Sequence, residues 1–220
     1  MIRKSIFFTF FILIALAANC QKSVIDSLEQ YYYYSVDEKR MEICLQLAGS
    51  YRNMDPAKGI DYAREGIELA REYDKPHTEA QLLNESGMLF RKIGELDKSL
   101  MYHQEALDLF LQLDDEMGIA FCYSNIANAN LDMGYFDRAL EYAMRSLEMK
   151  EKLGDKNQIA YTMRVIASIY HESGDHEKAL PFYEKSYEMY ADVGNVSEQA
   201  NVLLSKANLM TTLPNDFNRK

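Results

Sequence analysis

Gly94, Gly134 and Gly174 stand at a 40-residue interval, in the blocks RKIGELDKSL, DMGYFDRAL and ESGDHEKAL. Each is followed within a few residues by an acidic residue and then by a small residue plus leucine: Ser99-Leu100, Ala139-Leu140 and Ala179-Leu180. A chain that repeats at such a period folds as stacked copies of one unit, because a single copy cannot bury its own apolar face. Upstream, Ala80, Leu83, Gly87 and Phe90 recur as Ala120, Tyr123, Ala127 and Asn130, then as Ala160, Met163, Ala167 and Tyr170. Steps of three, four and three residues follow one face of an α-helix. The small residue in the middle of that face admits a close neighbour, and Ala106, Ser146 and Ser186 supply the matching small residue on a second helix. Each copy therefore reads as a tight antiparallel helix pair.

Met41, Cys44, Ala48 and Tyr51 set the same face in an earlier copy, whose second helix is capped and opened by Asp55-Pro56. Ser35 and Glu38 have the spacing of a capping box at its start. Ala200, Leu203, Ala207 and Met210 begin a fifth copy that stops where its second helix should start, leaving a core face for self-association or for further chain to cover. Leu213-Pro214 ends that helix, and Pro181, past the first turn of a second helix, predicts a kink.

Paired helices, small residues at their crossing and a turn glycine with alanine-leucine resemble the tetratricopeptide repeat family in its longer-period form, from about Ser35 onward. The aromatic of that family near the repeat start is replaced by Leu83, Tyr123 and Met163, and its proline between repeats survives only as Pro76. The resemblance implies an all-α, right-handed superhelical solenoid of antiparallel hairpins, whose first helices line a concave groove for peptides or partner helices. The domain reading is a signal peptide at 1–20, a leading helix at 21–34, four repeats at 35–195 and an incomplete fifth at 196–220.

Arg3 and Lys4 precede an apolar run from Ile6 to Ala18, and Ala17-Ala18-Asn19-Cys20-Gln21 follow. This is the plan of a secretory signal peptide. The run rises only ~20 Å as a helix, short of a ~30 Å hydrocarbon core. Two cleavage chemistries stay open: an ordinary cut that leaves Gln21 first, or lipidation of Cys20 in a sequence resembling a bacterial lipoprotein box. The expected location is exported, periplasmic or envelope-associated, with the membrane reached only through such a lipid. The net charge is −10, and the first 20 residues carry only Arg3 and Lys4, so the rest is more acidic still. An acidic chain is a poor ligand for phosphate backbones, which argues against nucleic acid.

A disulfide between Cys44 and Cys122 is not expected, since two repeats of stacked helices separate them; both read as small buried hydrophobes. The chain has no phosphate-cradling glycine loop, nucleophile elbow or paired-cysteine zinc spacing. His171-Glu172-Ser173-Gly174-Asp175-His176 resembles the HExxH zinc helix but has one residue too many and contains the turn glycine, so its histidines cannot share a helical face. His77 and His103 read as solvated polar positions. No cofactor, metal or catalytic residue is expected.

The candidate site is the face of the first helices turned away from the core register. It carries Gln81, Asn84, Met88, Arg91 and Lys92, then Phe121, Ser124, Asn128 and Asp132, then Tyr161, Arg164, Ser168, His171 and Glu172. Cations beside aromatic residues suit an extended peptide bearing carboxylates. A subgroup of the family clamps the C-terminal carboxylate of chaperones with lysine, asparagine and arginine on successive first helices. Here Asn84 and Met88, Asn125, and Tyr161 and Val165 occupy those registers, and only Asn125 agrees. The functional expectation is a non-catalytic interaction scaffold or adaptor in the bacterial envelope. The alternative is a truncated sensing ectodomain of a membrane-bound regulator of the histidine-kinase type.

Overall fold

The computed structural model describes residues 22–212, and the secondary structure among them is helical. The expected signal peptide at 1–20 with Cys20, and residues 213–220 of the expected incomplete repeat, lie outside the described residues. Two compact units divide the chain between Tyr102 and His103.

The first unit holds α1 (22–34), α2 (Asp37–Tyr51), α3 (Pro56–Glu72), α4 (Pro76–Lys92) and the start of α5 (Leu96–Gln112). Glu29 on α1 accepts from Tyr51 at 2.6 Å and Tyr62 at 3.0 Å and pairs with Lys58, tying the leading helix to α2 and α3. Asp55 caps α3 by accepting from the Lys58 amide at 3.1 Å, with Pro56 at the first helical position. The expected capping box does not form: α2 starts at Asp37 after Val36, and the Ser35 hydroxyl donates back to the Tyr31 carbonyl at 2.6 Å. Glu38 is drawn instead to Lys75 at 2.9 Å.

The second unit holds the remainder of α5, then α6 (Glu116–Asp132), α7 (Phe136–Leu153), α8 (Lys156–Glu172), α9 (His176–Asp192) and α10 (Val196–Thr212). Consecutive helices pack on one another, and α8 also touches α6 and α10. Among the described residues α7 and α9 make no such contact, so the first helices form the inner side of this stack and the second helices its outer side. Small residues do line the crossings, but the second-helix serines meet the first small residue of the face, two turns before the one expected. Ala127 and Ala167 are fully buried, and Ser146 and Ser186 donate to the carbonyls of Ala120 at 2.8 Å and Ala160 at 2.7 Å. At Gly118 an added Cβ would lie 2.4 Å from the Phe110 ring, so only glycine lets α6 approach α5 so closely.

The turn glycines have the left-handed backbone that glycine adopts without strain, with φ of 82°, 76° and 85° at Gly94, Gly134 and Gly174. The amide one residue beyond each closes back on the helix, as Asp175 does onto the Tyr170 carbonyl at 2.8 Å. A second left-handed register, Asp74, Asp114, Gly154 and Gly194, marks the turns between repeats and went unread in the sequence. Helix α9 runs unbroken through Pro181, which lies on its exposed side, where the carbonyl left without a partner can reach water. On α10 the expected core register is solvent-facing: Ala200, Leu203, Ala207 and Met210 are exposed, while Val202 and Leu209 are buried with Tyr183 and Tyr190. Cys44 and Cys122 are free and buried, as expected.

Candidate functional site

In the first unit, α4 carries Gln81 and Lys92 exposed and Asn84, Met88 and Arg91 half-buried. In the second unit, Asp132 and Glu172 are exposed, and Phe121, Tyr161, Arg164, Ser168 and His171 are half-buried on α6 and α8. Ser124 and Asn128 do not face solvent as expected; both are buried. A first helix packs against its own second helix and against the next first helix, so its buried arc is wider than one stripe.

Ser124 is bonded there to a cation that is not among the expected site residues. Lys150, on α7, is fully buried. Its ammonium passes between the two first helices, donating to Ser124 Oγ on α6 at 2.7 Å and to Thr162 Oγ1 on α8 at 3.0 Å. The rings of Phe121 and Tyr161, equivalent positions on those helices, lie 5.2 Å and 5.6 Å from it. Ser124 also shares a hydrogen bond with Ser146 at 2.8 Å, and Asn128 Nδ2 donates to the Tyr161 hydroxyl at 3.0 Å. Three expected site residues, Phe121, Ser124 and Tyr161, thus converge on one unexpected cation, and Asn128 bonds to one of them. Loss of water around the ammonium depresses its pKa to about 8, a shift that Asp155 opposes.

The 40-residue register marked Lys150 in advance, because its equivalents Ala70, Phe110 and Tyr190 are all buried. The next repeat exchanges the roles: Arg164 stands where Ser124 stands, and Tyr190 where Lys150 stands. The Arg164 guanidinium lies 5.1 Å from the Tyr161 ring, and its Nε is buried without a hydrogen bond. Burial pushes Tyr190 up to about 12, with Glu198 adding to the shift and Arg164 opposing it. Tyr161 therefore has two cations within 6 Å of its ring, at 5.6 and 5.1 Å, and among the described residues neither forms an ion pair.

Further along α8, the Ser168 hydroxyl meets that of Tyr183 at 3.2 Å. His171 and His176 do come together, edge to face at 5.7 Å across the α8–α9 turn, despite standing on different helices. Burial lowers the His171 pKa, Glu172 opposes that shift and His176 reinforces it. No group of three potential metal ligands occurs among the described residues. His103 is buried rather than solvated; its register equivalents Ala63, Ala143 and Tyr183 are core positions. His77 is exposed.

These features define a class: a helical-repeat protein whose first helices present a half-buried face of aromatic rings and cations. The sequence matches the tetratricopeptide repeat family over residues 78–152 and 118–192, more than half of the chain, and the protein belongs to that family. Among curated proteins none matches it. The fold is similar to that of the Rap conjugation gene regulator of the plasmid pLS20, solved with a Phr peptide, at 17% identity and a TM-score of 0.77, over 90% of this chain and 56% of that one. A Rap protein complexed with competence and sporulation factor gives 19% identity and a TM-score of 0.69, over 80% and 51%. Podosopora anserina kinesin light chain repeats give 12% and 0.64, over 81% and 91%. The chain spans about half the length of the Rap structures, 51% and 56%. At these identities the likeness is one of fold.

Proposed function

We propose that this protein is a non-catalytic interaction scaffold that binds a peptide or partner helix along the inner face of α6 and α8. The observation that carries this reading is the cluster of Lys150, Arg164, Phe121 and Tyr161, where a fully buried ammonium and a half-buried guanidinium stand by two half-buried rings with no ion-pair partner. A buried ammonium weakens a fold unless something offsets it, so its presence favours a role in recognition. The Rap structures, whose complexes contain a peptide and a factor, support the same use of this architecture.

The site of action we propose is the bacterial envelope, on the strength of Arg3, Lys4 and the apolar run from Ile6 to Ala18. A second contact surface is proposed on α10, where Val196, Leu203, Leu204 and Met210 are exposed, through which the protein self-associates. Among the described residues no helix is long and apolar enough to cross a membrane.

Photo-crosslinking in the native cell tests the binding face. A p-benzoylphenylalanine in place of Asn125, on α6, should give a discrete adduct, and one in place of Glu188, on the exposed side of α9, should not. An adduct from Glu188 alone would reject the inner face. Intact mass of the mature product tests export: it should begin at Gln21 or at a lipid-bearing Cys20, and a cytoplasmic product retaining Met1 would refute the location.

A further inference from the structure

The geometry points to a carboxylate as the group this face recognises, received beside Tyr161 between Lys150 and Arg164. This inference rests on the groove reading above and specifies the chemistry of the partner. Lys150 has three N–H donors; two reach Ser124 and Thr162, and the side left over faces the ring pair Phe121 and Tyr161. Those rings are half-buried, so the ammonium is covered while its ring neighbours stay in part open to solvent. Arg164, one helical turn after Tyr161, brings a planar guanidinium to 5.1 Å from the same ring, with a buried Nε that has no acceptor. A guanidinium pairs with a carboxylate at two points, while an ammonium supplies a point charge without fixed direction.

The two carboxylates that act on Lys150 and Tyr190 from a distance accept their hydrogen bonds elsewhere. Asp155 accepts from the Gln158 amide at 3.1 Å at the start of α8, and Glu198 accepts from Asn201 at 3.2 Å on α10. The rest of the molecule disfavours anions, since the net charge is −10. Attraction for an acidic group must therefore be local, and these two cations are where the inner face supplies it. An extended peptide has two sources of the group, a Glu or Asp side chain and its C-terminus. The site differs from the chaperone clamp of this family, whose registers here hold Met88, Asn125 and Val165. One cation instead comes from a second helix, threaded between two first helices.

The test is binding of the purified protein to an array of random octapeptides, each printed with a free C-terminal carboxylate, as the amide, and as the amide with every Asp and Glu changed to Asn and Gln. Wild type should bind the acidic forms at least tenfold better than the fully neutral form. Lys150→Met and Arg164→Gln should each lose that preference, while Lys152→Gln, the same change of charge on the exposed side of α7, should keep it. Binding of acidic amides assigns the side-chain source, and binding of free acids alone assigns the C-terminus. Equal binding of all three forms, unchanged in the variants, would overturn the carboxylate assignment and leave the groove reading standing. Binding to no peptide of any form would overturn both.

Discussion

Replacing Lys150 with methionine keeps the apolar stem and removes the ammonium, so it isolates the energetic weight of the buried charge. The folded pKa of about 8 lies below the ordinary 10.5. At about 1.4 kcal/mol per pH unit, the charged lysine costs the fold about 3 kcal/mol at neutral pH relative to a neutral one. Removing it forfeits two hydrogen bonds, but neither hydroxyl is stranded: Ser124 keeps Ser146 at 2.8 Å, and Thr162 keeps the Gln158 carbonyl at 2.9 Å. With about 1 kcal/mol subtracted for the lost bonds, Lys150→Met should be about 2 kcal/mol more stable than wild type at pH 7. The sign with pH follows from the depressed pKa of a basic group. Between pH 8 and 10.5 the unfolded chain binds the extra proton, so wild-type stability from this group rises with pH and the advantage of the variant fades across that window. Urea denaturation of the pair at pH 7 and pH 10.5 measures it. A variant less stable than wild type at pH 7, or a difference that does not change with pH, would refute the reasoning.

In the first unit, Arg52 holds Glu85 with two bonds of 2.8 and 2.6 Å, and the Glu85 side chain is only 8% exposed; Arg52→Met should destabilise this unit by roughly 3 kcal/mol, seen as an earlier urea transition, because it strands a carboxylate. Burial pushes both Cys44 and Cys122 up to about 12, so in residues 21–220 neither should react with iodoacetamide at pH 8 until urea is added; rapid labelling of the folded protein would contradict their placement. If α10 mediates self-association, Leu203→Glu with Leu204→Glu should abolish a concentration-dependent sedimentation coefficient, and a wild type monomeric at all concentrations would reject that surface.

The fold was legible because the 40-residue recurrence fixes helix length, turn position and crossing contact together, and each is enforced by sterics: a left-handed turn at Gly134, a small residue at Ala127, a serine at Ser146. The site was only half legible. Phe121, Tyr161 and Arg164 emerge from the first-helix face alone, but Lys150 belongs to a second helix and a lysine there reads as solvated. Only comparison with Ala70, Phe110 and Tyr190 shows that the position is core, and comparison with Ala63, Ala143 and Tyr183 does the same for His103. Ser124 and Asn128 were misplaced for a related reason, since a stripe of apolar residues does not reveal how far a polar side chain on a tightly packed helix is covered. The side-by-side placement of His171 and His176 depends on the path of the turn, which sequence spacing does not give.

Whether Lys150 is a buried ammonium that takes up an anion is reported directly by its own titration. Nuclear magnetic resonance of the lysine side-chain carbons and nitrogens, assigned with Lys150→Met, should show a midpoint near 8 in the free protein. Saturation with an acidic octapeptide taken from the array should raise that midpoint by at least about one unit, because a carboxylate beside the ammonium favours its charged form. An ordinary midpoint near 10.5 in the free protein, or a midpoint unmoved by saturating peptide, would contradict the assignment.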